Sequence, residues 1–145
     1  MPVGQICVRG VDIAKKDESV YIAARRMNDR NIGSLVVVDD SSRPIGIVTD
    51  RDLALRVLGE AKDAHQTSVG AVMSARVRTV NSDIPVERAL EIMRSGPFRR
   101  LPVVDCDGTL IGMLSIDDVL KDLADEFRRV GSLLRQECPE SLVEV

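Results

Sequence analysis

Shifted by 66 residues, the separation of Val37 from Val103, the chain matches itself without a gap. Val3-Gly4 falls on Val69-Gly70, Val11 on Val77, Asp17 on Asp83, Val20 on Val86, Ala23 on Ala89 and Met27 on Met93. Further on, Leu35 falls on Leu101, Val37-Val38-Asp39 on Val103-Val104-Asp105, Ile45-Gly46 on Ile111-Gly112, and Asp52 on Asp118. A repeat of this length marks a molecule built from like units that share a core. The matches fall on turn glycines, apolar faces and strand ends, the positions a common fold constrains.

Each copy follows the pattern strand, helix, strand, strand, helix, so the fold class expected is mixed α+β. Val20, Ala23, Ala24 and Met27 are three or four apart and make one helical face, as do Val86, Ala89, Leu90 and Met93. Pro85 stands in a first turn, where its missing N–H is harmless. The runs Ser34 to Val38 and Leu101 to Val104 are apolar without alternation, which suits strands covered on both faces. Turn residues follow, Asp39 to Pro44 and Asp105 to Gly108, then second strands, Ile45 to Val48 and Leu110 to Leu114. The boundaries expected are one unit over 3–60, a polar linker over 61–68, a second unit over 69–125, and a helical extension with a tail over 126–145. The last helix is carried to about Gln136 by Leu120, Leu123, Phe127, Val130 and Leu134.

Composition removes several classes of function. Aromatic residues are 2% of the chain, too few for a binder of single-stranded nucleic acid, and the net charge is −3, without the basic footprint duplex DNA needs. Cys7, Cys106 and Cys138 are scattered and odd in number, as reduced cytosolic thiols are. No metal site is expected, because the single histidine, His65, lies far from any cysteine. There is no apolar signal core in Met1 to Arg9 and no stretch long enough to span a bilayer. A cytoplasmic protein without membrane attachment is expected. No nucleophile sits in a recognisable elbow, and no glycine-rich phosphate loop is present, so an enzyme is not expected.

One segment carries chemistry, and it occurs twice: Gly46-Ile-Val-Thr-Asp-Arg-Asp52 and Gly112-Met-Leu-Ser-Ile-Asp-Asp118. In each, a strand ends and a helix begins at a hydroxyl residue, where unpaired N–H groups and a partial positive charge favour an anion. The hydroxyl of Thr49 or Ser115 can bond a phosphate. One turn on, the carboxylate of Asp52 or Asp118 can accept bonds from the two hydroxyls of a ribose. The same spacing is also a helix capping box, in which both side chains serve only the backbone. The two readings are compatible, since a capping residue can still face a ligand.

This two-copy pattern resembles a tandem CBS-domain pair, or Bateman module, over about residues 3 to 125. Ile32-Gly-Ser-Leu-Val-Val-Val-Asp39, Phe98-Arg-Arg-Leu-Pro-Val-Val-Asp105 and the two Gly-x-x-Thr/Ser-x-x-Asp segments carry the resemblance. It implies two βαββα units packed through their sheets about a pseudo-twofold axis. Between them it implies two clefts for AMP, ADP, ATP or S-adenosylmethionine, held as regulatory ligands with no required cofactor. In the second-copy cleft the resemblance gives Ser115 and Arg100 to phosphate, Asp118 to ribose and Met113 to the base, with Val11, Ile32 and Gly33 opposite. In the first-copy cleft it gives Thr49 and Asp52 the same roles, with Arg51 near the phosphate and Val77 and Phe98 as the wall.

The copies differ where phosphate would sit. Arg100 aligns with Ser34, which adds a cation to the second-copy cleft, while Asp117 aligns with Arg51 and adds a like charge. The function expected is a sensory module that binds an adenine nucleotide and reports it to a protein effector. The alternative is the same fold with empty clefts, acting as a dimerisation unit. The apolar stripe on the last helix, which a single chain would leave exposed unless the helix folds back onto its own domain, and the habit of the resembled family both point to a homodimer.

Overall fold

The computed structural model describes residues 1–96 and 98–137. The tail from Cys138 onward lies outside the described residues. A short helix α1 (Val3–Ile6) leads into β1 (Ile13–Lys15), α2 (Val20–Arg30), β2 (Ser34–Val38) and β3 (Pro44–Thr49). Helix α3 (Asp50–Leu53) then continues as a π-helical turn over Ala54–Leu58. The second copy repeats the series with α4 (Val69–Val72), β4 (Val80–Asn81), α5 (Val86–Ser95), β5 (Arg100–Val104), β6 (Leu110–Ser115) and α6 (Ile116–Glu137).

Local chemistry accounts for these boundaries. Ser19 caps α2 by accepting the N–H of Ile22 at 3.3 Å, and Asn31 ends it in the left-handed conformation at φ 52°. Val20, Ala23 and Met27 form its buried face. In the second copy Pro85 precedes α5, whose buried face is Ala89 and Met93. Strands β2 and β5 are central in their sheets, of order β1-β2-β3 and β4-β5-β6. Val37 and Val103 are both fully buried there, as their unbroken apolar runs require.

The two halves are related by a twofold operation, and the backbone shows it bond by bond. Register β2 to β3 pairs Ser34 with Thr49, and β5 to β6 pairs Arg100 with Ser115. The bulge between Val37 and Val38 recurs between Val103 and Val104. Contacts between the copies come in exchanged pairs. Val8 bridges Met113, as Ser74 bridges Ile47; Pro2 bridges Pro85, as Ser68 bridges Ser19. Moving one member of each pair forward by the repeat and the other back turns one contact into its mate.

The units are not separate in sequence. The core around β4–β6 contains Val3 and Cys7 from the start of the chain. The core around β1–β3 contains Val69 and Val72 from the start of the second copy. Each copy lends its first short helix to the other. The N–H of Gly4 donates to the carbonyl of Ser82 at 2.9 Å, and that of Gly70 to Lys16 at 2.9 Å.

This exchange explains two of the shared glycines. A Cβ on Gly112 would lie 2.7 Å from Cys7 Sγ and 2.9 Å from the carbonyl oxygen of Val8. A Cβ on Gly46 would lie 2.6 Å from Met73 Sδ and 2.9 Å from the carbonyl oxygen of Ser74. The lent segment therefore passes a strand that has no room for a side chain. Gly112→Ala is expected to lower stability by about 1–3 kcal/mol through overpacking, measured as the urea midpoint at constant slope. An unchanged midpoint would mean the segment moves aside freely.

Candidate functional site

Strands β3 and β6 end at Thr49 and Ser115, and α3 and α6 begin at the next residue. Both junctions are closed capping boxes. Thr49 Oγ1 accepts the N–H of Asp52 at 3.1 Å, and Asp52 Oδ2 accepts the N–H of Thr49 at 2.9 Å. Ser115 Oγ accepts the N–H of Asp118 at 3.2 Å, and Asp118 Oδ2 accepts the N–H of Ser115 at 2.8 Å. The Ser115 hydroxyl also donates to Asp118 Oδ2 at 2.8 Å. The cap uses one carboxylate oxygen in each box. Asp118 Oδ1 has no hydrogen-bond partner among the described residues, and Asp52 Oδ1 lies 3.9 Å from Arg56 Nε. One oxygen has two lone pairs, enough to accept from two vicinal hydroxyls. Cap and ligand site can therefore share a residue.

Each junction faces a cavity walled by the other copy. A cavity of about 370 Å³ brings together Ser115, Asp118, Arg100 and Met113 of the second copy with Val11, Ile32 and Gly33 of the first. Every residue expected in the second-copy cleft lines it. A second cavity, of about 390 Å³, brings together Thr49 and Asp52 with Val77 and Phe98. Arg51 does not line that cavity. It faces a third space of about 730 Å³ between the two, shared with Thr49, Ser115, Arg99, Arg100 and Asp117. The reason is helical geometry: successive residues project about 100° apart, so Asp52 faces the cleft and Arg51 the axis.

Residues absent from the expected set also line these spaces. Ser34 borders the first cavity and the central one, and Arg100 Nη1 donates to Ser34 Oγ at 3.4 Å. These two positions are repeat equivalents, so their contact places them beside the pseudo-twofold axis. Arg76 and Arg78 line the Thr49 cavity, and Asp12 lines the Ser115 cavity. The available signal was their position one residue either side of Val77, or beside Val11, both already assigned to the walls.

Other candidates fall into structural roles. Asp39 holds its turn by accepting the N–H groups of Arg43 and Ser41, and the bond from Arg43 leads in keeping its carboxyl below the usual range. Burial pushes the Cys7 thiol up, against the opposing pull of Arg9, and the residue packs in the core around β4–β6. His65 stacks on Tyr21 with ring centres 4.2 Å apart, in the link between the copies. Among the described residues no cluster of His, Cys, Asp or Glu is arranged to hold a metal ion. No helix among them is long and apolar enough to cross a membrane.

The CBS-domain family model matches residues 3–59 and again residues 69–125. A protein from Acidianus ambivalens is 36% identical over 123 residues, covering 85% of this chain and 73% of its own length. A second relative, from Methanopyrus kandleri, is 36% identical over 119 residues, covering 82% of this chain. The mitochondrial CBS domain-containing protein CBSX3 of Arabidopsis thaliana is 34% identical over 116 residues, covering 77% of this chain. The chain spans 61% of the Methanopyrus protein and 56% of CBSX3. Among solved structures, the CBS-pair protein CBSX2 of Arabidopsis thaliana superposes with a TM-score of 0.76 at 28% identity, over 88% of this chain and 96% of that one. The CBS domain pair of the protein MJ0100, in complex with 5′-methylthioadenosine and S-adenosyl-L-methionine, superposes with a TM-score of 0.74 at 25% identity, over 87% of this chain and 98% of that one. With two matching segments that occupy most of its length, this chain belongs to the CBS-domain family and carries two such domains in tandem.

Proposed function

We propose that the module binds an adenine nucleotide, or a related adenosyl ligand, between its two copies and regulates without catalysing. One observation carries this reading: the 370 Å³ cavity gathers a hydroxyl, a carboxylate, an arginine and Met113 from one copy against Val11, Ile32, Gly33 and the carboxylate of Asp12 from the other. That set suits an adenosyl group, with the ribose on the Asp118 carboxylate and the base against the apolar surfaces, and the volume is within the usual range of small-molecule sites. The adenosyl ligands of the MJ0100 domain pair support it. Asp118 accepts the ribose hydroxyls on its unused oxygen, and Ser115 releases its bond to Asp118 to donate to a polar atom of the ligand. Thr49 needs no such exchange, because its hydroxyl donates to no partner among the described residues. The chain pairs into a homodimer, through which occupancy is passed to a protein effector.

A panel of AMP, ADP, ATP, 5′-methylthioadenosine and S-adenosylmethionine tests the reading by thermal shift. A ligand at a hundred times its dissociation constant adds about 2.7 kcal/mol to the folded state and raises the melting temperature. Asp118→Ala is expected to weaken the bound ligand tenfold or more, since hydrogen bonds to a charged group contribute about 1.5–3 kcal/mol. Calorimetry gives the constant directly. Unchanged affinity in the double variant Asp52→Ala, Asp118→Ala would place the site elsewhere. No response to any of the five at millimolar concentration would favour a purely structural module. The closed capping boxes are the observation that supports that second reading.

A further inference from the structure

The two clefts are related by the pseudo-twofold, yet their charges differ. Three arginines, Arg76, Arg78 and Arg100, line the Thr49 cavity with one carboxylate, Asp52. The Ser115 cavity has Arg100 with two carboxylates, Asp12 and Asp118. Arg100 is common to both and cannot discriminate between them. The difference lies at two repeat positions: Gly10 is the equivalent of Arg76, and Asp12 is the equivalent of Arg78. The second of these is a full reversal of charge. Arg30 forms an ion pair with Asp12 but does not itself line the cavity.

We propose that the clefts divide adenosyl ligands by charge. The Thr49 cleft takes the polyphosphorylated nucleotide, and the Ser115 cleft takes an uncharged or cationic adenosyl compound. This rests on the reading that the clefts bind adenosyl ligands, and it assigns a chemical class to each. The central space does not discriminate: it adjoins the Thr49 cleft through Ile47, Thr49 and Arg100 and the Ser115 cleft through Ser34, Arg100, Met113 and Ser115, and it offers Arg51, Arg99 and Asp117 to both. The division therefore rests on Arg76 and Arg78 in one cleft and on Asp12 in the other. A phosphate tail in the Ser115 cleft lies beside Asp12 and Asp118. Like charges within one small cleft repel more than surface charges do, because less water separates them. A sulfonium or uncharged adenosyl group meets no such penalty there.

Calorimetry on the full chain with ATP and with 5′-methylthioadenosine as probes tests this. ATP is expected to saturate at one per chain, with an affinity that falls as salt rises, while 5′-methylthioadenosine responds little to salt. Arg78→Asp, which installs the equivalent residue of the other copy, should weaken ATP about tenfold more than it weakens 5′-methylthioadenosine at low salt. Asp12→Arg should add a second ATP site per chain. Asp12→Asn, a smaller change to the Arg30 pair, should strengthen ATP in that cleft in the same direction. Two equal ATP sites in the unaltered chain, or equal losses for both probes in Arg78→Asp, would overturn the division while leaving adenosyl binding intact. If neither probe binds at millimolar concentration, adenosyl binding itself fails, and the division fails with it.

Discussion

Val3→Asp should unpack the second half of the molecule, and Val69→Asp the first. Both valines are fully buried, Val3 beside Leu101 and Leu114, and Val69 beside Leu35 and Val48. An aspartate there would be a buried charge without a partner, a defect of roughly 3–5 kcal/mol. That is a large share of the roughly 5–15 kcal/mol that holds a domain together. Urea melts give the size of the loss, and native-state hydrogen exchange gives its place. Val3→Asp should strip protection from the amides of β5 and β6 while β2 and β3 keep more of theirs. Val69→Asp should do the reverse. If each substitution instead loosens the sheet nearest to it in sequence, the lent helices are not part of the other unit's core. Because Val3 and Val69 are repeat equivalents of the same type, any difference between the variants reports where each one packs.

That exchange could not be read from the residues alone. The shift that lays Val3 on Val69 is equally satisfied whether each short helix packs on its own copy or on the other. Four residues also carry too little periodicity to mark a helix. The larger helices were legible from their apolar period, Val20, Ala23, Ala24 and Met27 in α2, while the left-handed Asn31 that ends this helix is a finding of the structure. The apolar runs of β2 and β5 lack the alternation that marks a strand, and they were legible because they are short, rich in β-branched valine and followed by turn residues. At the site, Thr49, Asp52, Ser115 and Asp118 followed from their repeated spacing, and the structure adds that the boxes are closed. Arg51, which the resemblance sets near the phosphate, lines the central space beside Thr49 and not the cavity of Asp52. Arg76 and Arg78 are not legible from the repeat, because the first copy has Gly10 and Asp12 at those positions. Residues that break a repeat carry what distinguishes its two clefts.

Phe127→Glu is expected to split the proposed homodimer and leave each chain folded. On α6, Leu120, Leu123, Phe127, Val130 and Leu134 are separated by alternating steps of three and four, the seam along which paired helices pack. Phe127 is 76% exposed and Leu120 58% exposed, so the chain's own domains leave this stripe uncovered. Only Val119, in the first turn of α6, is buried. A helix folded back onto its own domain would have hidden these side chains. Contiguous apolar surface of this kind marks an interface more often than a free surface, and a twofold is the simplest closed way to cover it. A phenylalanine near the middle of such a seam is worth about 2–4 kcal/mol, which corresponds to a thirtyfold to thousandfold rise in the dimer dissociation constant. Sedimentation equilibrium across a concentration series reads that rise, and circular dichroism reports whether α6 and the domains survive. Gly131 gives a counter-test, since a Cβ there meets nothing within 4 Å. Gly131→Ala should firm the helix by about 1 kcal/mol and tighten the dimer. A single-chain mass for the unaltered protein at micromolar concentration would end the proposal. A Phe127→Glu chain that unfolds along with the split would assign Phe127 to the fold instead of the seam.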